Sequence, residues 1–230
     1  MSRRTVLVTG GTRGIGRAIV EALAPQWRVL VGGTDAARVA QVVSEIAGVC
    51  PDAAGFVADL SDALATARAA ASVPSLDAVV HSAGVLAYGT TDTLTREDWR
   101  WVMEINVVAV ADLTRLLLPA LRESRGQVVV INSGAGFTAS PGNAVYAASK
   151  FAVRAWADAL RAEERGRLRV TSVHPGRVDT DMQVALQTAE GREYDATGIL
   201  TPASVASAVT FALEASPDAC IETLSVRPAG

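Results

Sequence analysis

Val6-Leu-Val-Thr-Gly-Gly-Thr-Arg-Gly-Ile-Gly16 is the stretch that decides how this chain folds. It begins inside the apolar, β-branched run Thr5–Thr9, which is long enough for one buried strand. A glycine-rich turn follows, and the amphipathic residues Arg17–Leu23 then start a helix. Glycines let a phosphate approach the backbone, and the helix N-terminus offers it unpaired N–H groups and a positive dipole end. The stretch therefore predicts a strand–turn–helix unit that binds the phosphates of a dinucleotide.

Outside this stretch, apolar strand-like runs alternate with helix-like runs along the whole chain. Fully apolar strands that alternate with helices are typical of a parallel sheet covered on both faces, so we predict a doubly wound α/β fold of about seven strands. The predicted strands are Thr5–Thr9, Arg28–Gly32, Gly55–Ala58, Leu76–His81, Gln127–Ile131, Arg169–Val173 and Ile221–Val226. The predicted helices are Gly16–Leu23, Ala36–Ala47, Asp62–Ala71, Arg96–Arg122, Ala144–Glu164 and Ala203–Glu214. No linker, repeat or shift in composition divides the chain, which predicts one domain over residues 1–230.

Composition and charge exclude several classes of partner. The 230 residues are 50% hydrophobic and carry a formal net charge of −3, so no basic excess indicates nucleic acid or an anionic membrane surface. No apolar run approaches the roughly 18 residues that a membrane span needs. Met1-Ser-Arg-Arg runs directly into the first predicted strand and leaves no room for a secretory signal. We therefore expect a cytoplasmic protein that binds neither nucleic acid nor membranes.

The end of the second predicted strand bears on the choice of dinucleotide. An acidic residue there usually binds the adenosine ribose, but this end reads Val31-Gly-Gly-Thr-Asp35 and the strand itself ends in glycine. Arg13 in the glycine turn is placed to reach a 2′-phosphate, with Thr34 and Arg38 close enough to contribute. Two alternatives stay open: Arg13 is a solvated loop residue while Asp35 caps the next helix, or Asp35 swings toward the ribose and favours NAD. We expect NADP(H) to be preferred over NAD(H).

The ends of the later strands carry small and polar residues. Because the carboxyl ends of parallel strands meet at one edge of a doubly wound sheet, where such sheets bind their ligands, we expect these residues to lie near the glycine turn. They are Asp59 and Leu60, Ser82, Ala83 and Gly84, Asn132 and Ser133, and Pro175 and Gly176, with Thr180 a few residues further on.

Tyr146-Ala-Ala-Ser-Lys150 is the sharpest chemical signal in the chain. A spacing of four residues places the phenol and the ammonium on one helix face. A free tyrosine has a pKa of about 10, and a nearby lysine cation is expected to lower it toward the working range. The pair, with Ser133 on the preceding strand end, therefore predicts a general acid/base for reducing a carbonyl or oxidising an alcohol. For an isolated pair, the alternative is that Tyr146 packs while Lys150 extends to solvent.

Taken together, these motifs resemble those of the short-chain dehydrogenase/reductase family in its compact form, in family order and over essentially the whole chain. The resemblance implies Tyr146 as the catalytic acid/base, Ser133 as the group that orients the substrate oxygen, and Lys150 as the residue that lowers the tyrosine's pKa. It also implies that Asn106 holds a water of a proton relay. The implied cofactor-binding residues are Gly10, Thr12, Arg13, Gly14, Ile15, Gly16, Thr34, Asp59, Leu60, Ser82, Ala83, Gly84, Tyr146, Lys150, Pro175, Gly176, Val178 and Thr180.

Three residues depart from the family's usual pattern, and two other functions compete with it. His81 and His174 stand where the family commonly has asparagine, and Asn132 where it commonly has serine. A hydrolase built on Ser133, His174 and Asp179 lacks a Gly-x-Ser-x-Gly elbow, because Ile131 occupies the first glycine position. A regulator that binds NADP(H) without turnover has no need of a complete Asn/Ser/Tyr/Lys set.

Two further expectations concern assembly and substrate. The long predicted helices Arg96–Arg122 and Ala144–Glu164 are apolar around most of their circumference, which, with the family resemblance, predicts a homodimer or homotetramer through them. Their tryptophans, Trp99, Trp101 and Trp156, are interpreted as packing residues. Asp181–Leu200 is expected to be a flexible lid over a mostly apolar pocket for a small carbonyl or alcohol.

Overall fold

The computed structural model describes residues 3–229, and its centre is a seven-stranded parallel sheet in the order β3-β2-β1-β4-β5-β6-β7. The doubly wound α/β prediction is confirmed, and each strand bound lies within two residues of its predicted place. The strands are β1 (Thr5–Thr9), β2 (Arg28–Gly33), β3 (Ala54–Val57), β4 (Ala78–His81), β5 (Gln127–Ile131), β6 (Arg169–Pro175) and β7 (Thr223–Val226).

Helices cover both faces of this sheet. They are α1 (Gly14–Leu23), α2 (Ala36–Ile46), α3 (Ala63–Ala71), α4 (Arg96–Met103), α5 (Ala109–Ser124), α6 (Ala144–Glu163), α7 (Asp181–Ala189) and α8 (Pro202–Leu213). The alternation of side chains along β1 feeds two cores: Val6 and Val8 join a cluster with α1 and α8, and Leu7 joins one with α5 and α6. All three of these residues are fully buried. Among residues 3–229, no helix is long and apolar enough to cross a membrane.

The predicted helix over Arg96–Arg122 is wrong as a single element. Helix α4 ends at Met103, a π-helical turn covers Glu104–Val108, and α5 begins at Ala109. The buried Asn106 lies in this turn, and its side chain exchanges two hydrogen bonds of 2.9 Å with the backbone of Val85. The hydrophobic period continues through the interruption, so the sequence pattern did not reveal it. Such turns are frequent at functional sites because they redirect one residue of a helix.

The segment expected to be a flexible lid contains a helix. Thr180 caps α7 by accepting a hydrogen bond from the backbone N–H of Gln183. Gln187 on α7 is buried and binds the backbone of Asp195 through both ends of its amide, at 3.0 and 2.8 Å. These contacts make the first half of the lid an ordered element that packs beside the glycine turn.

Candidate functional site

A cavity of about 650 Å³ opens at the carboxyl edge of the sheet, where the strand order reverses between β1 and β4. Ligands of doubly wound sheets bind at this reversal, and the volume lies in the usual range for small-molecule sites. The predicted cofactor residues that line it are Gly10, Thr12, Arg13, Gly14, Ile15, Gly16, Thr34, Asp59, Leu60, Ser82, Ala83, Gly84 and Thr180.

The glycine turn forms a tight backbone cradle. A Cβ at Gly16 would lie 2.1 Å from the carbonyl oxygen of Gly10, so no side chain fits there. Gly10 has φ +63°, and a Cβ on it would lie 2.9 Å from Cα of Ala83. Both positions therefore require glycine for the turn to close, and a tight glycine turn at a helix N-terminus fits the phosphates of a dinucleotide.

The N-terminus of α1 favours an anion as well. Asp35, Asp62 and Thr95 cap α2, α3 and α4 with their side chains, whereas Arg13, the residue before α1, makes no cap hydrogen bond. The first turn of α1 also holds no acidic residue. An arginine beside an uncapped N-terminus concentrates positive potential at one point, which is the arrangement that binds phosphate groups.

Of the residues expected to select the cofactor, Arg13 lines the cavity, whereas Asp35 and Arg38 lie outside it. Asp35 accepts hydrogen bonds from Ala37 and Arg38 at 2.9 and 3.2 Å and pairs with the Arg38 guanidinium at 3.5 Å. Asp35 therefore caps α2, as one of the two alternatives had it, and neither it nor Arg38 lines the cavity. Arg13 does line it, and its Nη1 lies 3.2 Å from Oδ2 of Asp181 on α7.

Ser133, Tyr146 and Lys150 lie together beside this cavity. The hydroxyl of Ser133 lies near the phenol of Tyr146, close enough to affect its pKa. Nζ of Lys150 lies 5.5 Å from the centre of the Tyr146 ring and donates to the carbonyl of Ile131 at 3.0 Å. A Cβ at Gly84, on the cavity wall, would lie 3.9 Å from Nζ of Lys150. The fold thus places the group next to the space that the glycine turn encloses.

Burial governs the proton affinities of this group. Loss of hydration raises the pKa of Tyr146, and the hydrogen bond with Ser133 opposes that rise. Burial lowers the pKa of Lys150 to about 8. From the sequence, Lys150 was expected to lower the pKa of Tyr146. In the protein without cofactor, the pKa of Tyr146 is instead raised, because burial disfavours the phenolate most strongly.

Five predicted cofactor residues do not line the cavity: Tyr146 and Lys150, which lie beside it, and Pro175, Gly176 and Val178. Pro175 pairs with Val226 in the sheet, and the N–H of Gly176 donates to the carbonyl of Val226 at 2.8 Å. Val178 is buried and forms a bridge with Leu200. These residues connect β6 to α7, so they support the position of Thr180, which does line the cavity.

The hydrolase arrangement is absent from the described part of the chain. Nδ1 of His174 lies 3.0 Å from the backbone carbonyl oxygen of Ser133, while a catalytic base must contact the serine hydroxyl. Asp179 accepts a hydrogen bond from the hydroxyl of Tyr194 instead of orienting the histidine. The three residues therefore do not form a triad.

One wall of the cavity was not predicted from the sequence. Leu86, Tyr88, Trp101 and Ile105 line it together with residues of α7 such as Met182 and Leu186. Trp101 was interpreted as a packing residue, but 48% of its surface is exposed and it faces the cavity. The signal was a second tryptophan in the otherwise polar start of α4, where packing alone does not require one. Among the large apolar residues of the expected lid, Met182 and Leu186 line the cavity, whereas Val184, Tyr194 and Ile199 do not.

The fold and the site define a class: a doubly wound dinucleotide-binding protein with a Ser/Tyr/Lys group beside its cavity. Residues 4–191 match the short chain dehydrogenase family, and the chain belongs to this family. It is 35% identical over 234 residues to an uncharacterized short-chain type dehydrogenase/reductase of Sinorhizobium fredii, covering 97% of this chain and 91% of that protein. It is also 35% identical to the mouse dehydrogenase/reductase SDR family member 7B, where the match covers 83% of this chain but spans only 62% of that protein.

Solved structures agree with this assignment. An alcohol dehydrogenase from Thermococcus sibiricus complexed with 5-hydroxy-NADP has the same fold, with a TM-score of 0.90 at 24% identity and with 99% and 97% of the two chains covered. The closed form of a serine dehydrogenase complexed with NADP⁺ has a TM-score of 0.89 at 29% identity, with 98% and 97% covered.

Proposed function

We propose that this protein is an oxidoreductase that transfers a hydride between NADP(H) and a small carbonyl or alcohol substrate. The observation that carries the proposal is the placement of Ser133, Tyr146 and Lys150 in one group next to Gly84 on the cavity wall. A proton donor, its hydrogen-bond partner and a cation at this edge of the sheet suit a reaction in which a carbonyl oxygen becomes a hydroxyl.

Each residue of this group has one task in the proposed reduction. The bound cofactor supplies the hydride that the carbonyl carbon receives. Tyr146 gives its phenolic proton to the substrate oxygen as charge develops there, and Ser133 donates a hydrogen bond to the same oxygen. The ammonium of Lys150 stabilises the phenolate that results. Oxidation of an alcohol follows the same steps in reverse.

The group also needs a route for returning the proton to Tyr146. Lys150 is buried, with 6% of its surface exposed, and Asn106 stands beside it: a Cβ at Gly84 would lie 3.4 Å from Oδ1 of Asn106. Nδ2 of Asn106 donates to Oγ of Ser149 at 3.0 Å. A water held here would link Lys150 to the cavity, and this is the role that we assign to Asn106.

Arg13 is the residue that would select NADP(H) over NAD(H). Arg13 and Thr34 both line the cavity, while the carboxylate of Asp35, which would repel a 2′-phosphate, is held at the cap of α2. A guanidinium binds a phosphate group by charge-assisted hydrogen bonds, which an NAD(H) ribose does not offer. The NADP-bound serine dehydrogenase is consistent with this choice.

The apolar wall indicates the kind of substrate. Leu86, Trp101, Ile105, Met182 and Leu186 all line the cavity, so the site suits an aliphatic, aromatic or cyclic carbonyl compound.

The test is turnover by the purified protein with NADPH and a panel of aromatic and alicyclic ketones and aldehydes. We expect Tyr146→Phe to lose at least about 1,000-fold in kcat while it binds NADPH with unchanged affinity, because only the transferable proton is removed. Oxidation of NADPH by the variant at the wild-type rate would contradict the assignment of Tyr146. A wild-type protein that binds NADPH but reduces nothing would favour the alternative of a regulator.

Assembly as a dimer or tetramer is part of the proposal. Trp99, Val108 and Phe151, on α4 to α6, each expose more than a third of their surface. Large apolar side chains that are exposed on neighbouring helices favour burial against another copy. Light scattering of the purified protein distinguishes a dimer or tetramer from a monomer. A monomer would contradict the proposed assembly.

A further inference from the structure

The backbone on both sides of Ser133 is held by two side chains. Oδ1 of Asn132 accepts a hydrogen bond from the N–H of Ser133 at 2.8 Å, and Nδ1 of His174 lies 3.0 Å from the carbonyl oxygen of Ser133. A carbonyl only accepts hydrogen bonds, so Nδ1 carries the proton. Asn132 and His174 are also two of the three residues that depart from the family's usual pattern.

The surroundings of His174 hold its ring in place, with Nδ1 directed at the Ser133 carbonyl. It is fully buried, and its ring stacks on Phe137 with the ring centres 4.2 Å apart. Burial lowers the pKa of His174, the hydrogen bond with the Ser133 backbone opposes this, and the nearby cations Arg154 and Arg227 lower the pKa further. Nε2 has no hydrogen-bond partner among residues 3–229, so the hydrogen bond to Ser133 is the ring's polar contact within the described chain.

Asn132 connects Ser133 to the helix that carries Tyr146 and Lys150. Its Nδ2 donates to the backbone carbonyl of Lys150 at 3.1 Å. The amide fits because residue 136 is glycine: a Cβ at Gly136 would lie 2.5 Å from Oδ1 of Asn132. The Asn132 side chain therefore connects the strand end at Ser133 directly to helix α6.

The Ser133 hydroxyl is held in the same way. Its Oγ accepts a hydrogen bond from the N–H of Ala135 at 3.1 Å, and this leaves its own proton for the phenol of Tyr146 or for a substrate oxygen. Displacements of about 1 Å at such a group can cost 100-fold in rate, so both flanking peptides matter to its function.

We infer that Asn132 and His174 are positioning residues that act through Ser133, holding its two peptide groups so that its hydroxyl meets Tyr146. Neither side chain lines the cavity, and neither touches the reacting atoms. The inference rests on the proposed function for its effect on rate, but it makes a structural claim that is measurable without turnover.

The first test is a double-mutant cycle with single-turnover rates of NADPH oxidation. We expect His174→Leu to slow hydride transfer about 10-fold in the wild-type background and less than 2-fold in the Ser133→Ala background, because the hydroxyl that His174 positions is then gone although the backbone carbonyl remains. His174→Asn restores most of the rate, since its amide nitrogen can donate to the same carbonyl. Equal losses in both backgrounds, or equal losses for the leucine and asparagine variants, would overturn the inference.

His81→Leu is the matched control for burial. His81 is the other histidine of the chain; it is buried, and its Nε2 lies 2.8 Å from Oγ1 of Thr114 rather than near Ser133. We expect any effect of this variant on rate to be the same with and without Ser133. The inference would be overturned if His81→Leu and His174→Leu were coupled equally strongly to Ser133→Ala. The double-mutant cycle would then report general packing.

The second test needs no substrate. The chain has three tyrosines, so the ¹³Cζ resonance of Tyr146 can be assigned by its absence in Tyr146→Phe. At pH 7, Ser133→Ala and His174→Leu should move this resonance in the same direction, and His174→Asn should leave it in place. A resonance that moves in Ser133→Ala but not in His174→Leu overturns the inference even if the protein turns over no carbonyl. Absence of turnover with the expected shifts counts against the proposed function alone.

Discussion

Nη1 of Arg13, in the glycine turn, lies 3.2 Å from Oδ2 of Asp181, the first residue of α7. This ion pair joins the phosphate cradle to the helix that closes the substrate side of the cavity. It also means that the guanidinium assigned to a 2′-phosphate already has an anionic partner in the described chain. A cofactor phosphate would compete with Asp181 for Arg13.

The first prediction is that Asp181→Asn raises the affinity for NADPH. The two side chains expose 70% and 77% of their surface, and exposed pairs contribute about 1 kcal/mol or less, so we expect a gain of about 2- to 5-fold. Arg13→Ala should lose about 10-fold or more for NADPH and little for NADH. Fluorescence titration of both variants with both cofactors measures this, and NADH-favoured binding by the wild type would remove the argument for Arg13.

The second prediction concerns the glycine turn. Gly16→Ala places a Cβ about 2 Å from the Gly10 carbonyl oxygen, so the turn must move, and we expect NADPH and NADH affinities to fall by at least about 100-fold each. Gly48→Ala is the control, because a Cβ at Gly48 meets nothing within 4 Å. Titration by nicotinamide fluorescence measures both affinities. If Gly16→Ala bound either cofactor as tightly as the control, the glycine turn would not be the phosphate-binding site.

A third prediction separates the two exposed tryptophans of α4. Trp101 lines the cavity and Trp99 does not, although the two are exposed to a similar extent. We expect Trp101→Ala to raise KM for an apolar ketone by at least about 5-fold through lost apolar contact, and to leave NADPH affinity unchanged. Trp99→Ala should keep the wild-type KM. Steady-state kinetics measure both KM values. An equal change of KM in the two variants would show that the substrate does not bind against Trp101.

The fourth prediction follows from the lowered pKa of Lys150. Burial brings this pKa to about 8, below the unfolded value, so the folded chain binds fewer protons between about pH 8 and 10.5 and its stability rises with pH in that window. Below about pH 8, the buried and charged Lys150 lowers the free energy of unfolding by its full amount. Without cofactor, Lys150→Met should therefore raise the free energy of unfolding at pH 7, by an amount that shrinks toward pH 10. Urea unfolding at several pH values tests this; a gain independent of pH would contradict it.

The fifth prediction concerns stability far from the site. The carboxylate of Glu164 is only 4% exposed, accepts two hydrogen bonds from Arg122 at 2.6 and 3.1 Å and pairs with Arg167. The hydrogen bonds with Arg122 lower the pKa of Glu164, so its contribution to stability is present above the unfolded value and is lost as pH falls through the folded one.

We expect Glu164→Gln to cost about 2 kcal/mol of unfolding free energy at pH 7, and less at pH 4. Glu163→Gln, at the exposed neighbouring position, is the control and should change little. Urea unfolding that gave the two variants the same loss at pH 7 would show that the ion pair does not stabilise the fold.

Much of the site was predictable because it depends on residues that are close in sequence. The glycine turn is a local unit, and the spacing of Tyr146 and Lys150 places both on one helix face whatever surrounds them. The strand ends that carry Ser82, Ser133 and Thr180 converge because parallel strands share an edge. In contrast, the wall formed by Leu86, Trp101 and Ile105 required knowing how α4 and the π-helical turn sit over that edge, which no local pattern encodes.

The sequence by itself determined the doubly wound fold, the position of the phosphate cradle and the four residues proposed to transfer the proton. Alternating apolar runs and a glycine-rich turn specify these features through local backbone geometry. Only the tertiary structure decided what the charged and polar side chains face. It directed Asp35 to a helix cap, paired Arg13 with Asp181, and aimed His174 at the backbone of Ser133. Burial and charge depend on groups that are distant in sequence, so these contacts arise only when the chain is folded.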